Sequence, residues 1–274
     1  MRSVSKKIWN ILRSDAQAQI DADALLSGYL QCMVLKRDSL DDALAHMLSE
    51  KLSTFCVPTT VLRDIFDPAL TAAPEIGDAA AADLEAISSR DPAALGMIEP
   101  FLHYKGFHAL EAFRLSHWLW LQGRKPLALF LHHRIAEVFS VDIHPAARIG
   151  KGIFIDHATG VVIGETAVVG DNVSLLHEVT LGGTGKERGD RHPKVGNGVL
   201  IGAGAKILGN VRIGDGAKIG AGSVVLDHVP AHTTAAGVPA RIVGHPRSES
   251  PALSMDQSID IEAQIDQSYF GSML

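Results

Sequence analysis

The chain has 274 residues, 46% hydrophobic and 20% charged, with a formal net charge of −6. That length holds one large or two ordinary domains, and the hydrophobic fraction excludes a disordered protein. The acidic balance argues against a protein that grips nucleic acid by neutralising phosphates, and no apolar run approaches the ~20 residues needed to cross a bilayer. Met1-Arg2-Ser3-Val4-Ser5-Lys6-Lys7 leads into no apolar signal core, which predicts a cytoplasmic location. Cys32 and Cys56 form neither a CxxC pair nor a metal spacing, and are expected as buried free thiols.

Composition divides the chain in three. Of the 26 glycines, 20 fall within residues 141–245, whose one aromatic residue is Phe154; Trp9, Trp118 and Trp120 all come earlier. Residues 1–140 carry 14 basic and 17 acidic groups, residues 141–245 carry 10 and 9, and residues 246–274 carry 1 and 5. The expected organisation is a helical domain over 1–140, a glycine-rich domain over 141–245 and a flexible acidic tail over 246–274.

In the first part, Ser39-Leu40-Asp41-Asp42 opens an apolar stretch as a capping pattern does. Asp91-Pro92 reads as an N-cap followed by proline at the first helical position. Leu110, Phe113, Leu115 and Trp118 recur at helical spacing between His108 and Leu121. Gly123 predicts the stop, and Pro126 the start of a helix running to about Phe139.

The middle part repeats. Every sixth residue from Ile143 (Ile149, Ile155, Val161, Ala167, Val173, Val179) is aliphatic or alanine, and the phase resumes over Val195, Ile201, Ile207, Ile213, Ile219 and Val225. A period of six fits neither a helix nor one long alternating strand. It fits short strands joined by tight corners, three to a coil of about 18 residues, each phase residue stacking inward on its equivalent one coil away. This is a parallel β-helix; a glycine-rich sandwich has no reason to keep such a register. The step from Val179 to Val195 is no multiple of six, so residues 182–194, rich in glycine and charge, are expected to leave the coil as an excursion loop.

Asp142, His144, Asp156, His157, Glu165 and His177 lie in the first coils, and Arg191 and His192 lie in the excursion. Each alone can be an ordinary surface group. Together they offer a general base with an orienting carboxylate, and a guanidinium fork for an anion. A zinc centre would need three converging histidines, but the spacing from His157 to His177 predicts that those two do not stack.

Several segments together resemble bacterial serine O-acetyltransferases: Asp142-Ile143-His144-Pro145, Ile155-Asp156-His157-Ala158-Thr159-Gly160, Leu181-Gly182-Gly183-Thr184-Gly185-Lys186, Gly189-Asp190-Arg191-His192-Pro193-Lys194, Ser89-Arg90-Asp91-Pro92-Ala93 and Thr233 through Arg241. The resemblance implies an α+β chain, helical first, with a left-handed β-helix after it. It implies transfer of acetyl from acetyl-CoA to L-serine in cysteine biosynthesis, without a metal. By the same resemblance, His157 is the general base and Asp142 its partner. Asp91 and Asp156 meet the substrate's ammonium group, Arg191 its carboxylate, and His192 the serine or the oxyanion. Gly183, Thr184, Ala203 and Ala221 match the coenzyme A side, with Lys218 and Arg241 as candidates for its phosphates. Inhibition by L-cysteine, a hexamer built as a dimer of trimers with sites between neighbours, and docking of the C-terminal tail to cysteine synthase are implied as well. The family's tail ends in isoleucine, whereas this chain ends Gly271-Ser272-Met273-Leu274. A related hexapeptide-repeat acyltransferase acting on a sugar or xenobiotic is the alternative, and a non-catalytic scaffold is a further one.

Overall fold

A computed structural model describes residues 3–185 and 188–259. Among the described residues eight α-helices come first: α1 (Ser3–Ala22), α2 (Ser27–Leu30), α3 (Leu40–Leu52), α4 (Thr59–Ala72), α5 (Glu75–Arg90), α6 (Ile98–His103), α7 (Lys105–Leu121) and α8 (Lys125–Phe139). Ser39 caps α3 by accepting the Asp42 amide at 3.1 Å, as its sequence pattern predicts. Gly123 follows α7 with φ +76°, and Pro126 lies in the first turn of α8.

Asp91-Pro92 opens no helix. Asp91 instead ends α5, and its side chain closes a local turn by accepting the Ala93 amide at 2.8 Å. An aspartate before proline favours either structure, and the packing of α5 decides for the turn. Cys32 and Cys56 are free, as expected, but both are exposed rather than buried.

Helix α7 is buried on nearly every side and carries polar groups inward. His108 is one: its Nε2–H donates to the Phe101 carbonyl at 2.8 Å, and burial pushes its pKa down to about 3. Below the ordinary histidine pKa of 6.5 the unfolded chain takes up a proton that the folded chain refuses. Stability should therefore fall by about 1.4 kcal/mol per pH unit as pH drops from there towards the folded-state value. Denaturant melts of wild type and His108→Gln between pH 7 and 4 check this; the variant's slope should be shallower by about that amount.

Short strands then wind into a triangular prism. The first face stacks Val141–Ile143, Val161–Ile163, Thr180–Gly182, Lys206–Leu208 and Val224–Val225. The second stacks Arg148–Ile149, Val168–Val169, Lys194–Val195 and Arg212–Ile213. The third stacks Phe154–Ile155, Ser174–Leu175, Leu200–Ile201 and Lys218–Ile219, and is closed by the antiparallel pair Thr234–Gly237 and Ala240–Gly244. The expected parallel β-helix is present, and all the in-phase residues but Ile149 are buried.

The register departs from the uniform phase. Ile163, not Val161, lies beside Ile143, and Leu175, not Val173, beside Ile155. The first coil therefore has two extra residues, placed between Ile155 and Val161 at the corner that carries Asp156 and His157. The aliphatic pattern conceals the slip because the strand Val161–Ile163 turns both its ends inward around an exposed Val162. Further along, Ile201 pairs with Leu175, which accommodates the excursion loop, and Ile219 pairs with Ile201 in the ordinary spacing.

The helices are fixed to the first coils by charge. Asp83 of α5 is wholly buried; Oδ1 accepts the Ile153 amide at 2.7 Å, and Oδ2 pairs with Arg114 of α7. The Arg114 guanidinium also donates to the Gly150 carbonyl at 2.8 Å. Arg90 reaches Ser174 Oγ at 3.2 Å and Asn172 Oδ1 at 3.3 Å. Glu111 lies against Arg114 at 3.4 Å, and complete burial raises its pKa well above the carboxylate range. Beyond the prism, Pro251–Ser254 (α9) docks on the third face, where Ser174 Oγ donates to the Ala252 carbonyl at 2.9 Å. The residues on which docking to cysteine synthase would depend, Gly271 to Leu274, lie outside the described residues.

Candidate active site

The sequence-predicted residues gather at two edges of the first face. At the edge where the third face meets the first, the two extra residues force the chain through a tight corner. His157, Ala158 and Gly160 take φ of +55°, +59° and +75°. The left-handed region strains a residue bearing a β-carbon by roughly 1–3 kcal/mol, and such strain concentrates at functional sites. Here it throws the His157 side chain outward, 76% exposed, with Nε2 3.8 Å from Asp156 Oδ2. The His177 ring stacks edge-on beneath it, with centroids 5.8 Å apart. The expectation that these two rings do not stack is thus overturned, since the lengthened coil brings residues twenty apart into register.

The helices complete this edge. Gly106 lets α7 approach the corner closely, as a β-carbon there would lie 2.1 Å from the Ile155 carbonyl oxygen. Lys105, next to it, donates to Thr159 Oγ1. Asp91 faces Asp156 across a pocket of about 350 Å³ that Tyr104, Lys105 and His157 also line. Burial first, and then the negative charge of Asp91, raise the pKa of Asp156. Two carboxylates held together in this way form a site for a small cation, because a positive group between them relieves their repulsion. Ala203 and Ala221 continue up the same edge one coil apart, the Gly222 amide donating to the Ala203 carbonyl at 2.7 Å.

The second group lies where the first face meets the second. Arg191 and His192 end the excursion loop, with Gly183 and Thr184 at its start. Thr166 organises them: its hydroxyl oxygen accepts the amides of Arg191 at 3.0 Å and His192 at 3.1 Å. His192 Nδ1 in turn accepts the Thr166 amide at 3.2 Å, so the ring proton resides on Nε2. Burial lowers the His192 pKa, and the adjacent charges of Arg191 and Lys194 lower it further. The ring is therefore a neutral Nε2–H donor. It fits because residue 164 is glycine: a β-carbon there would lie 2.1 Å from the imidazole. Arg191 pairs with Glu165 at 2.8 Å, and this hydrogen bond holds the Glu165 carboxyl below its usual range.

Asp142 belongs with this second group. Within one chain its Oδ1 meets His132 Nε2 of α8 at 2.6 Å rather than His157, and that bond lowers its pKa. The His144 ring lies 5.9 Å from that of His132 and feels the charges of Glu165, Asp142 and Arg191. Lys218 is buried on the third face with its ammonium on the Ser258 carbonyl. Arg241 is exposed and bonds its neighbour's carbonyl, that of Ala240, at 3.0 Å. Sequence reasoning missed His132, Tyr104 and Thr166. The first two come from helices whose distance to the prism no local pattern records, and Thr166 is an ordinary residue in a coil corner. Among the described residues no cluster of three or more metal-ligating side chains is present.

Residues 8–112 match the family model "Serine acetyltransferase, N-terminal", and residues 192–227 match "Bacterial transferase hexapeptide (six repeats)". The chain is 54% identical over 250 residues to the serine acetyltransferase of Escherichia coli (strain K12), covering 91% of this chain and 92% of the relative. Among solved structures, a serine acetyltransferase in complex with cysteine is 49% identical with a TM-score of 0.91, over 93% of this chain and 100% of that one. The soybean serine acetyltransferase complexed with serine is 54% identical with a TM-score of 0.86, over 89% and 100%. The Brucella abortus strain S19 enzyme in complex with coenzyme A is 52% identical with a TM-score of 0.86, over 87% and 96%.

Proposed function

The chain belongs to the serine acetyltransferase family, and from that premise we propose how its residues divide the transfer of acetyl from acetyl-CoA to L-serine. A serine hydroxyl is a poor nucleophile until its proton is removed. His157, outward-facing and beside the two carboxylates, takes that proton as the serine oxygen attacks the thioester carbonyl. The carbon–sulfur bond then breaks, O-acetyl-L-serine forms, and the imidazolium returns the proton to the departing thiolate. Asp91 and Asp156 hold the substrate's ammonium group. Arg191 exchanges Glu165 for the substrate carboxylate, to which its planar fork is suited. His192 offers its Nε2–H to the developing oxyanion. Gly183, Thr184, Ala203 and Ala221 leave room along the edges for the pantetheine arm.

The paired carboxylates of Asp91 and Asp156 beside an outward-facing imidazole carry this reading, because they select a small substrate with an ammonium group next to a hydroxyl. The separation of the two groups across one face supports assembly between copies. One chain would give His157, Asp91 and Asp156, and its neighbour Asp142, Arg191 and His192, as in a trimer. The helices would then join two trimers into a hexamer. L-cysteine differs from serine by sulfur for oxygen and would occupy the same pocket as an inhibitor.

The test is release of coenzyme A from acetyl-CoA by the pure protein, with serine, sugars or amino sugars as acceptor. Release should depend on serine and be suppressed by added cysteine. Release with an amino sugar and none with serine would defeat the proposal in favour of a different acceptor.

A further inference from the structure

The geometry points to Tyr104 as the residue that positions Asp91, and hence as a determinant of serine affinity that acts through that carboxylate. This rests on the reading of Asp91 as an ammonium ligand. Asp91 ends α5 and has left regular structure, so its orientation depends on what its two oxygens meet. Oδ1 takes the Ala93 amide at 2.8 Å, within its own turn. Oδ2 takes the Tyr104 hydroxyl at 2.9 Å, from the junction of α6 and α7. Among the described residues, the second bond is the one that ties the Asp91 carboxylate to another element.

That element is fixed to the corner holding Asp156 and His157. Immediately after Tyr104, Lys105 bonds Thr159 and Gly106 packs on the Ile155 carbonyl. The tyrosine ring is itself half-buried against the core. Tyr104 thus refers the Asp91 carboxylate to the same frame as Asp156, although the two acids come from different parts of the chain. Asp91 and Asp156 repel each other, with His157 and His177 as the nearest groups on the prism side and Glu99, His103 and Lys105 on the helical side. Without the hydroxyl, Asp91 keeps one anchor inside its own turn, and repulsion from Asp156 turns it out of the pocket. An ammonium ion then meets one well-placed carboxylate instead of two.

The experiment compares wild type, Tyr104→Phe, Asp91→Asn and the double variant by steady-state kinetics, with thermal unfolding alongside. Losing a hydrogen bond to a charged group should raise the KM for serine about tenfold in Tyr104→Phe. Its kcat, its KM for acetyl-CoA and its melting temperature should stay near wild type. In the Asp91→Asn background the same change should add nothing further, because the carboxylate it positions is gone. An unchanged serine KM in Tyr104→Phe beside a large rise in Asp91→Asn would overturn the role of Tyr104 and leave that of Asp91 standing. No effect in Asp91→Asn would overturn the role of Asp91 itself, and this inference with it. Additive effects in the double variant, or a parallel loss of every parameter with a lowered melting temperature, would make Tyr104 a packing residue and overturn the inference.

Discussion

Replacing His157 with alanine should lower kcat by about 10²–10⁴-fold while leaving the affinity for acetyl-CoA close to that of the unchanged protein. The side chain is mostly exposed and packs only edge-on against His177, so the variant should fold and melt close to normally. On the proposed mechanism the variant loses only the base at the serine hydroxyl, and the proposed binding groups Asp91, Asp156, Arg191 and His192 are unchanged. Stopped turnover with intact coenzyme A binding by calorimetry is the expected result. A variant that turns over at the wild-type rate would exclude His157 from the chemistry. The same variant tests how the site is assembled. Co-expressed His157→Ala and Arg191→Ala chains would place a fraction of sites between an intact first edge and an intact second edge. Partial recovery of activity in the mixture, against inactivity of each variant alone, is the outcome required of a site shared between copies. No recovery would confine the site to one chain.

Replacing Asp83 with alanine should destabilise the protein by about 3–5 kcal/mol, the usual effect of breaking a buried ion pair from one side. Asp83 is inaccessible to solvent and serves both the Arg114 guanidinium and the Ile153 amide. Its removal leaves an uncompensated cation, an unpaired N–H and a small cavity at the seam between α5, α7 and the first coil. Neighbouring Glu111 cannot substitute without ionising, and burial opposes that. Chemical denaturation should show a lowered midpoint. Because α5 also carries Asp91, the serine KM should rise together with the loss of stability. A midpoint unchanged from wild type would mean that the pair contributes nothing net. The double change Asp83→Leu with Arg114→Met, which removes both charges, should recover much of the lost stability.

Much of the prism was legible beforehand, because a coil interior admits only aliphatic side chains at a fixed spacing and any chain that meets the demand displays it. Ile201, Ile207, Ile213 and Ile219 are all buried as the phase requires. The two-residue lengthening at Asp156 and His157 was not legible. Val161 and Ile163 both turn inward, so hydrophobicity alone cannot say which of them continues the column. That ambiguity separates His157 from His177 in the uniform phase, whereas the lengthened coil brings their rings together. In the helical part, the cap at Ser39 is read from four adjacent residues, whereas Asp91-Pro92 reads as a helix start and instead ends α5 in a turn.

The chemical identities of the candidate groups belong to the sequence alone: the imidazoles, the acids, the guanidinium, and the small residues that let backbone come close. The period of six settled the architecture too, since it reports a local repeat of strand and corner. Tertiary structure decided which of these groups meet. Within one chain Asp142 faces His132 rather than His157, Tyr104 rather than a prism residue holds Asp91, and Thr166 fixes the tautomer of His192. Each of these contacts joins segments whose separation along the chain is set by how many residues a corner inserts and where a helix comes to rest. Those quantities depend on the packing of the whole core, and no window of neighbouring residues contains them.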